Sequence, residues 1–195
     1  MSRKSKGLHF YNKRKKISSH LLKEIFSWIF LFVLAVLMAF VFTYSVGMKT
    51  SVIGPSMEPC LYNGQNVLIN RFVYMASNPK RGDVIVFRPN GNENMHYYVK
   101  RVIGLPGEKI TIQDGRVLID GYFYEEDDTF DMIEDGGIAS NGILLGEDEY
   151  FVLGDNRNNS EDSRSANIGT VMEGDIVGKA WFHMAGGPDG MGRIK

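Results

Sequence analysis

From Ile25 to Val46 the chain runs IFSWIFLFVLAVLMAFVFTYSV, 22 residues without a charge or a proline. As an α-helix rising about 1.5 Å per residue, this run is about 33 Å long, enough to span the hydrocarbon core of a bilayer. A buried helix of a soluble domain carries polar residues at 3.6-residue spacing, whereas here Ser27, Thr43, Tyr44 and Ser45 lie only toward the ends. The run predicts a transmembrane signal-anchor helix over residues 25–47. Residues 1–24 before it hold eight basic side chains (Arg3, Lys4, Lys6, Lys13, Arg14, Lys15, Lys16, Lys23) against one acid, Glu24. Lysine and arginine beside a span stay on the cytoplasmic side, which predicts a cytoplasmic basic segment over 1–24 and an extracytoplasmic remainder. A cleavable signal peptide is the competing reading, because Ser45-Val46-Gly47 is a small-x-small triplet. The apolar core of such a peptide is about 7 to 15 residues, shorter than this run.

The formal charge of the whole chain is -1, and residues 1–24 carry +7, so the remainder carries -8. The roughly 150 residues after the apolar run are enough for one domain with a real core. With Cys60 as the single cysteine, no disulfide can form within the chain. Zinc spacings and HExxH are absent and His9, His20, His96 and His183 are scattered, so neither a metal nor a cofactor is expected. The basic segment abuts an apolar run and the rest is acidic, which argues against a nucleic-acid partner.

After Met48 the pattern changes to short runs of β-branched and aromatic residues broken by Gly, Pro, Asn and Asp, which predicts a mainly β domain over 48–184. In KITIQDGRVLID, residues 109–120, two alternating runs flank Asp114-Gly115, the signature of a type I′ hairpin. Further strands are predicted over 66–70, 83–88, 97–103, 149–153 and 175–182. The acidic stretch from Glu125 to Asp135 lacks the spacing of a calcium loop and reads as a solvated loop. Residues 185–195, rich in glycine, read as a frayed tail.

Three segments could carry chemistry: GPSMEP at 54–59, YVKRVIGLPGE at 98–108 and GDNRNNSEDSR at 154–164. Alone, each has a plainer reading, as a turn serine, a rim lysine and a polar loop. A serine hydroxyl, however, needs a base to take its proton, and without a His/Asp partner in evidence a neutral lysine is the main alternative. Lowering a lysine pKa from about 10.4 to about 8 costs about 3 kcal/mol, so the amine must lie among apolar groups. A strand over 97–103 puts Tyr98, Lys100 and Val102 on one face, and Arg101 on the other in a structural role. Pro55 and Pro59 hold Ser56 on a stiff, irregular segment. At up to about 3.5 Å per residue, that serine lies within about 35 Å of the end of the span.

These motifs, in this order after a single span, resemble those of the type I signal peptidases in their short Gram-positive form. The resemblance implies a partly open, barrel-like β fold behind one transmembrane helix, with Ser56 as acylating nucleophile and Lys100 as general base. It further implies that Ser160 hydrogen-bonds and orients the lysine amine, and that Asp162 and Arg164 brace the loop as a structural pair. The implied partners are membrane lipid and exported preproteins whose signal peptides end in small residues at -3 and -1. Gly54 stands where some relatives have a serine that helps hold the oxyanion, which leaves the N–H of Ser56 as a donor. Cys60, four residues past Ser56, has no histidine partner in evidence and reads as a packing residue.

Two other readings compete. The self-cleaving repressors of the DNA-damage response share the Ser-Lys idea, but they carry a helix-turn-helix and no membrane span. A membrane-tethered β-domain that binds exported or surface proteins without catalysis is the alternative from another class.

Overall fold

The computed structural model describes residues 18–46, 48–92, 95–126, 130–188 and 190–194. Most of the basic N-terminal segment, Gly47 of the small-x-small triplet, and Asp127 and Asp128 of the acidic stretch lie outside the described residues. The chain divides into two compact units, Met1–Val41 and Phe42–Lys195.

Helix α1 spans Ser19–Val46 and begins six residues before the uncharged run. Ser18 explains the early start: its Oγ accepts from the Leu21 N–H at 3.2 Å, pairing one of the donors a helix N-terminus leaves free. One turn further on, His20 Nδ1 lies 3.5 Å from Glu24 Oε1. Every residue from Ser19 to Tyr44 is exposed, including Phe26, Trp28, Phe30 and Phe32. A helix that is apolar on all faces suits lipid, and α1 is long and apolar enough to cross a membrane.

The second unit is mainly β. Its strands are β1 (Met48–Ser51), β2 (Asn66–Asn70), β3 (Val84–Phe87), β4 (Tyr98–Gly104), β5 (Lys109–Gln113), β6 (Arg116–Ile119), β7 (Tyr122–Phe123), β8 (Ile143–Leu144), β9 (Glu149–Leu153), β10 (Val171–Met172), β11 (Ile176–His183) and β12 (Gly192–Arg193). A short helix, α2 (Val73–Ala76), follows β2. The main sheet runs β1-β2-β11-β3-β4-β9-β10, with β12 added to β11. Its two ends do not meet, so the barrel-like arrangement stays partly open. A smaller sheet, β7-β6-β5-β8, is built around the predicted hairpin. Asp114 and Gly115 take φ of 51° and 72°, the positive values that a type I′ turn needs at both central positions.

The all-apolar sequence of β3, VIVF, follows from burial on both faces. Val84 and Val86 join Val52, Met57 and Leu61 in one core cluster, while Ile85 and Phe87 join Val102, Tyr150 and Val152 in another. A third cluster, with Ile110, Ile112 and Phe151, seats the hairpin.

Two expectations need correction. The segment read as a frayed tail returns as β12, pairing Phe182 with Arg193 and His183 with Gly192, and Ile194 packs on the core. Its glycine permits close approach, since a Cβ on Gly192 would lie 2.9 Å from His183 Nε2. Nor is the acidic stretch wholly solvated. Glu126 pairs at 2.5 Å with Arg157, whose side chain is fully buried, and a buried guanidinium requires such a counter-charge.

Candidate functional site

The segment carrying Ser56 leaves β1 and is tied down on several sides. Val52 N–H donates to Gln65 O and Gly64 N–H to Val52 O, both at 2.8 Å. Gly54, at φ +81°, turns the chain where a side chain would be strained, and its N–H donates to Asn63 Oδ1 at 2.9 Å. Just past the serine, Met57 and Leu61 are fully buried and anchor the loop in the core. From across the site, Asn156 donates its N–H to Ser56 O at 3.1 Å and its Nδ2 to Pro55 O at 3.3 Å. The nucleophile candidate thus sits on backbone clamped from two directions.

Lys100 arrives on β4, flanked by β3 and β9, and is 3 % exposed. Its Nζ lies 2.5 Å from Ser56 Oγ, although 44 residues separate the two in the chain. Burial holds its pKa down, at about 8 instead of 10.5; the charges of Asp162 and Glu161 offset part of that effect. The amine also lies 5.7 Å from the centre of the Tyr98 ring, the aromatic neighbour expected from the period of the strand. At such a pKa a useful fraction of the amine is neutral near pH 7 and can accept the serine proton.

Beside the pair runs the polar loop 154–164. Arg164 forks onto Asp162, Nε to Oδ1 and Nη2 to Oδ2, both at 2.8 Å, and Gly154 N–H donates to Asp162 Oδ2 at 3.0 Å. Burial pushes the Asp162 carboxyl up, but Arg164 and these donors outweigh it and hold the pKa below the usual value. Ser160 donates its hydroxyl proton to Asp162 Oδ2 at 2.7 Å. Its oxygen keeps lone pairs that can accept from an amine N–H. Arg101 is structural, with a bidentate pair to buried Asp155 (Nε to Oδ1 2.8 Å, Nη2 to Oδ2 2.6 Å) and a bond to Gly82 O. Cys60 packs against the core, and burial, then nearby Asp155, pushes its thiol pKa up, which disfavours a thiolate.

Ser56 and Lys100 open onto a groove of about 480 Å³, with Val52, Ile53, Tyr97 and Val99 among its apolar walls. Comparison with known proteins matches residues 25–185 to the family described as signal peptidase, peptidase S26. The chain belongs to that signal peptidase family. It is 35% identical over 173 residues to signal peptidase I P of Bacillus subtilis subsp. natto, covering 85% of this chain and 89% of the relative. To signal peptidase IB of Staphylococcus aureus (strain COL) it is 31% identical over 175 residues, covering 82% of this chain and 89% of the relative. A crystal structure of a signal peptidase I from Enterococcus faecalis V583 aligns with 53% of this chain and 97% of its own, at 30% identity and a TM-score of 0.41.

Within this signal peptidase family member, the three polar segments singled out from the sequence meet around one groove. The sequence reading passed over Asn156 and Gly154, although both lie in the GDNRNNSEDSR loop. A Cβ on Gly154 would stand 2.4 Å from Ser56 O and 2.2 Å from Ser160 Oγ, so only glycine lets the loop approach the serine. Asn63 lies outside the three segments, and Glu161 lies inside the GDNRNNSEDSR loop at a position that no chemical spacing marks.

Proposed function

We propose that this chain is a membrane-anchored serine endopeptidase that removes N-terminal signal peptides from exported preproteins after small residues at -3 and -1. One observation carries the reading: a buried lysine amine, its pKa brought to about 8 by burial, stands 2.5 Å from a serine hydroxyl at the floor of an apolar-walled groove. The family membership and the names of the relatives supply the substrate class.

Ser56 Oγ attacks the carbonyl carbon of the -1 residue as neutral Lys100 accepts its proton, and the backbone N–H of Ser56 donates to the oxyanion. Lys100 then passes the proton to the leaving amine, and the mature protein departs. A water that gives its proton to Lys100 hydrolyses the acyl-enzyme and releases the signal peptide. Asp162 and Arg164 brace the loop beside the amine, and Ser160 is held to that brace through Asp162. No cofactor takes part. With its basic flank in the cytoplasm, α1 leaves the peptidase domain on the extracytoplasmic face, where signal-peptide cleavage sites emerge.

The test is cleavage of a preprotein with alanines at -3 and -1 by the detergent-solubilised full chain, against Ser56→Ala and Lys100→Ala. Processing by the wild type alone is expected. Equal processing by either variant would refute the assigned roles, and no processing by any of the three would favour a tethered binding domain.

A further inference from the structure

The groove also holds a carboxylate that takes no proton in acyl transfer. Besides Lys100, the side chains lining it include His96 and Glu161. Lys100 is buried and engaged with Ser56, whereas Glu161 is exposed. Its carboxylate does not swing free, because Tyr98 OH donates to Glu161 Oε2 at 3.2 Å. The Tyr98 ring is the same one that lies 5.7 Å from Lys100 Nζ, so a single tyrosine side chain separates this carboxylate from the base.

Of the neighbouring cations, Lys100 feels the charge of Glu161 but forms no ion pair with it. Arg164, three residues on, has its fork filled by Asp162. Among the described residues Glu161 forms no salt bridge. A fixed negative charge on the wall of a substrate groove acts on whatever charge the substrate brings into it. Apolar walls and burial of bound peptide strengthen the effect, and salt weakens it.

On the peptidase reading above, we propose that Glu161 is a specificity determinant that selects against acidic and in favour of basic side chains close to the scissile bond. A unit charge about 7 Å from the carboxylate, at an effective dielectric between that of the protein surface and that of water, changes transition-state binding about three- to fivefold. Lysine and glutamate at the same substrate position pull in opposite directions, so their ratio changes by about tenfold or more.

The experiment uses the full chain in detergent and peptides with alanine at -3 and -1, carrying Lys, Gln or Glu at -2 in one series and at +2 in another. The Lys/Glu ratio of kcat/KM is read for wild type, Glu161→Gln and Glu161→Lys at low and high salt. In at least one series, a wild-type ratio near ten is expected at low salt, falling as salt rises, close to one in Glu161→Gln and inverted in Glu161→Lys. Ratios cancel any general change in catalytic power, and inversion is not an outcome that loss of the Tyr98 hydrogen bond would produce. A wild-type ratio of one in both series, or a ratio that Glu161→Gln leaves unchanged, overturns the proposal. Failure of the wild type to cut the Gln peptides would instead overturn the peptidase reading beneath it.

Discussion

Replacing Lys100 by methionine should stabilise the protein at neutral pH while abolishing its cleavage activity. The pKa of the buried amine is lowered from 10.5 to about 8. At 1.36 kcal/mol per unit, keeping it charged in the folded state costs about 3 kcal/mol at pH 7. Methionine fills a similar volume without that cost, but gives up the hydrogen bond to Ser56, worth about 1 kcal/mol. The net gain is about 2 kcal/mol, or about 4 to 8 °C in Tm for a domain near 150 residues. The pH dependence gives the sharper signature. Because the folded pKa is the lower one, the unfolded chain holds the extra proton between about pH 8 and 10.5, and wild-type stability rises with pH across that window. The variant lacks this contribution, so its advantage shrinks over the same window and is replaced by a small deficit above it. Thermal melts of full-length wild type and variant in one detergent, followed by circular dichroism from pH 6 to 11, measure the difference while other titrating groups cancel. A variant that melts below wild type at pH 7, or a difference that stays constant from pH 8 to 10.5, would refute the claim that burial of the charged amine sets its pKa.

Two further outcomes follow from the same site. For wild type, kcat/KM on an alanine-containing peptide should climb about tenfold per pH unit below about pH 8 and level off above it, as Lys100 loses its proton; a profile flat from pH 6 to 9 would exclude Lys100 as the base. Gly154→Ala places a Cβ 2.4 Å from Ser56 O and 2.2 Å from Ser160 Oγ, and the displacement of the serine should lower kcat about 100-fold with little change in KM; a folded variant with wild-type kcat would show that Asn156 and Gly154 do not position the nucleophile.

Legibility in the sequence tracked how local the cause was. The hairpin was readable because Asp114-Gly115 and the alternating runs beside it lie within twelve residues. The strands β2, β3, β4, β9 and β11 announced themselves through dense β-branched and aromatic residues. Strands β1, β7, β8, β10 and β12 have only two to four residues each, too few to display a period, and exist because a longer neighbour offers hydrogen bonds. The glycines around β12 read as looseness, yet one of them permits the close approach to His183. At the site, Ser56 and Lys100 were legible because chemistry restricts which residues can act as nucleophile and base. The acceptor of the Ser160 hydroxyl was not, since it depends on where the fork of Arg164 fixes the Asp162 carboxylate. Asn156 escaped notice for a related reason: it acts on the backbone of residues about a hundred positions away.

The place of β11 in the main sheet governs when activity can appear during synthesis. β1 and β2, which flank the Ser56 segment, reach β3 and the Lys100 strand within that sheet only through β11, a strand made near the end of the chain. Until residues 176–183 have emerged and slotted between β2 and β3, the serine and the lysine stand on separate half-sheets with no ladder joining them. Such late, long-range closure slows folding. It also means that a truncated copy carries Ser56 and Lys100 without the strand that brings their half-sheets together, so on the proposed roles the pair stays apart until the last long strand is in place.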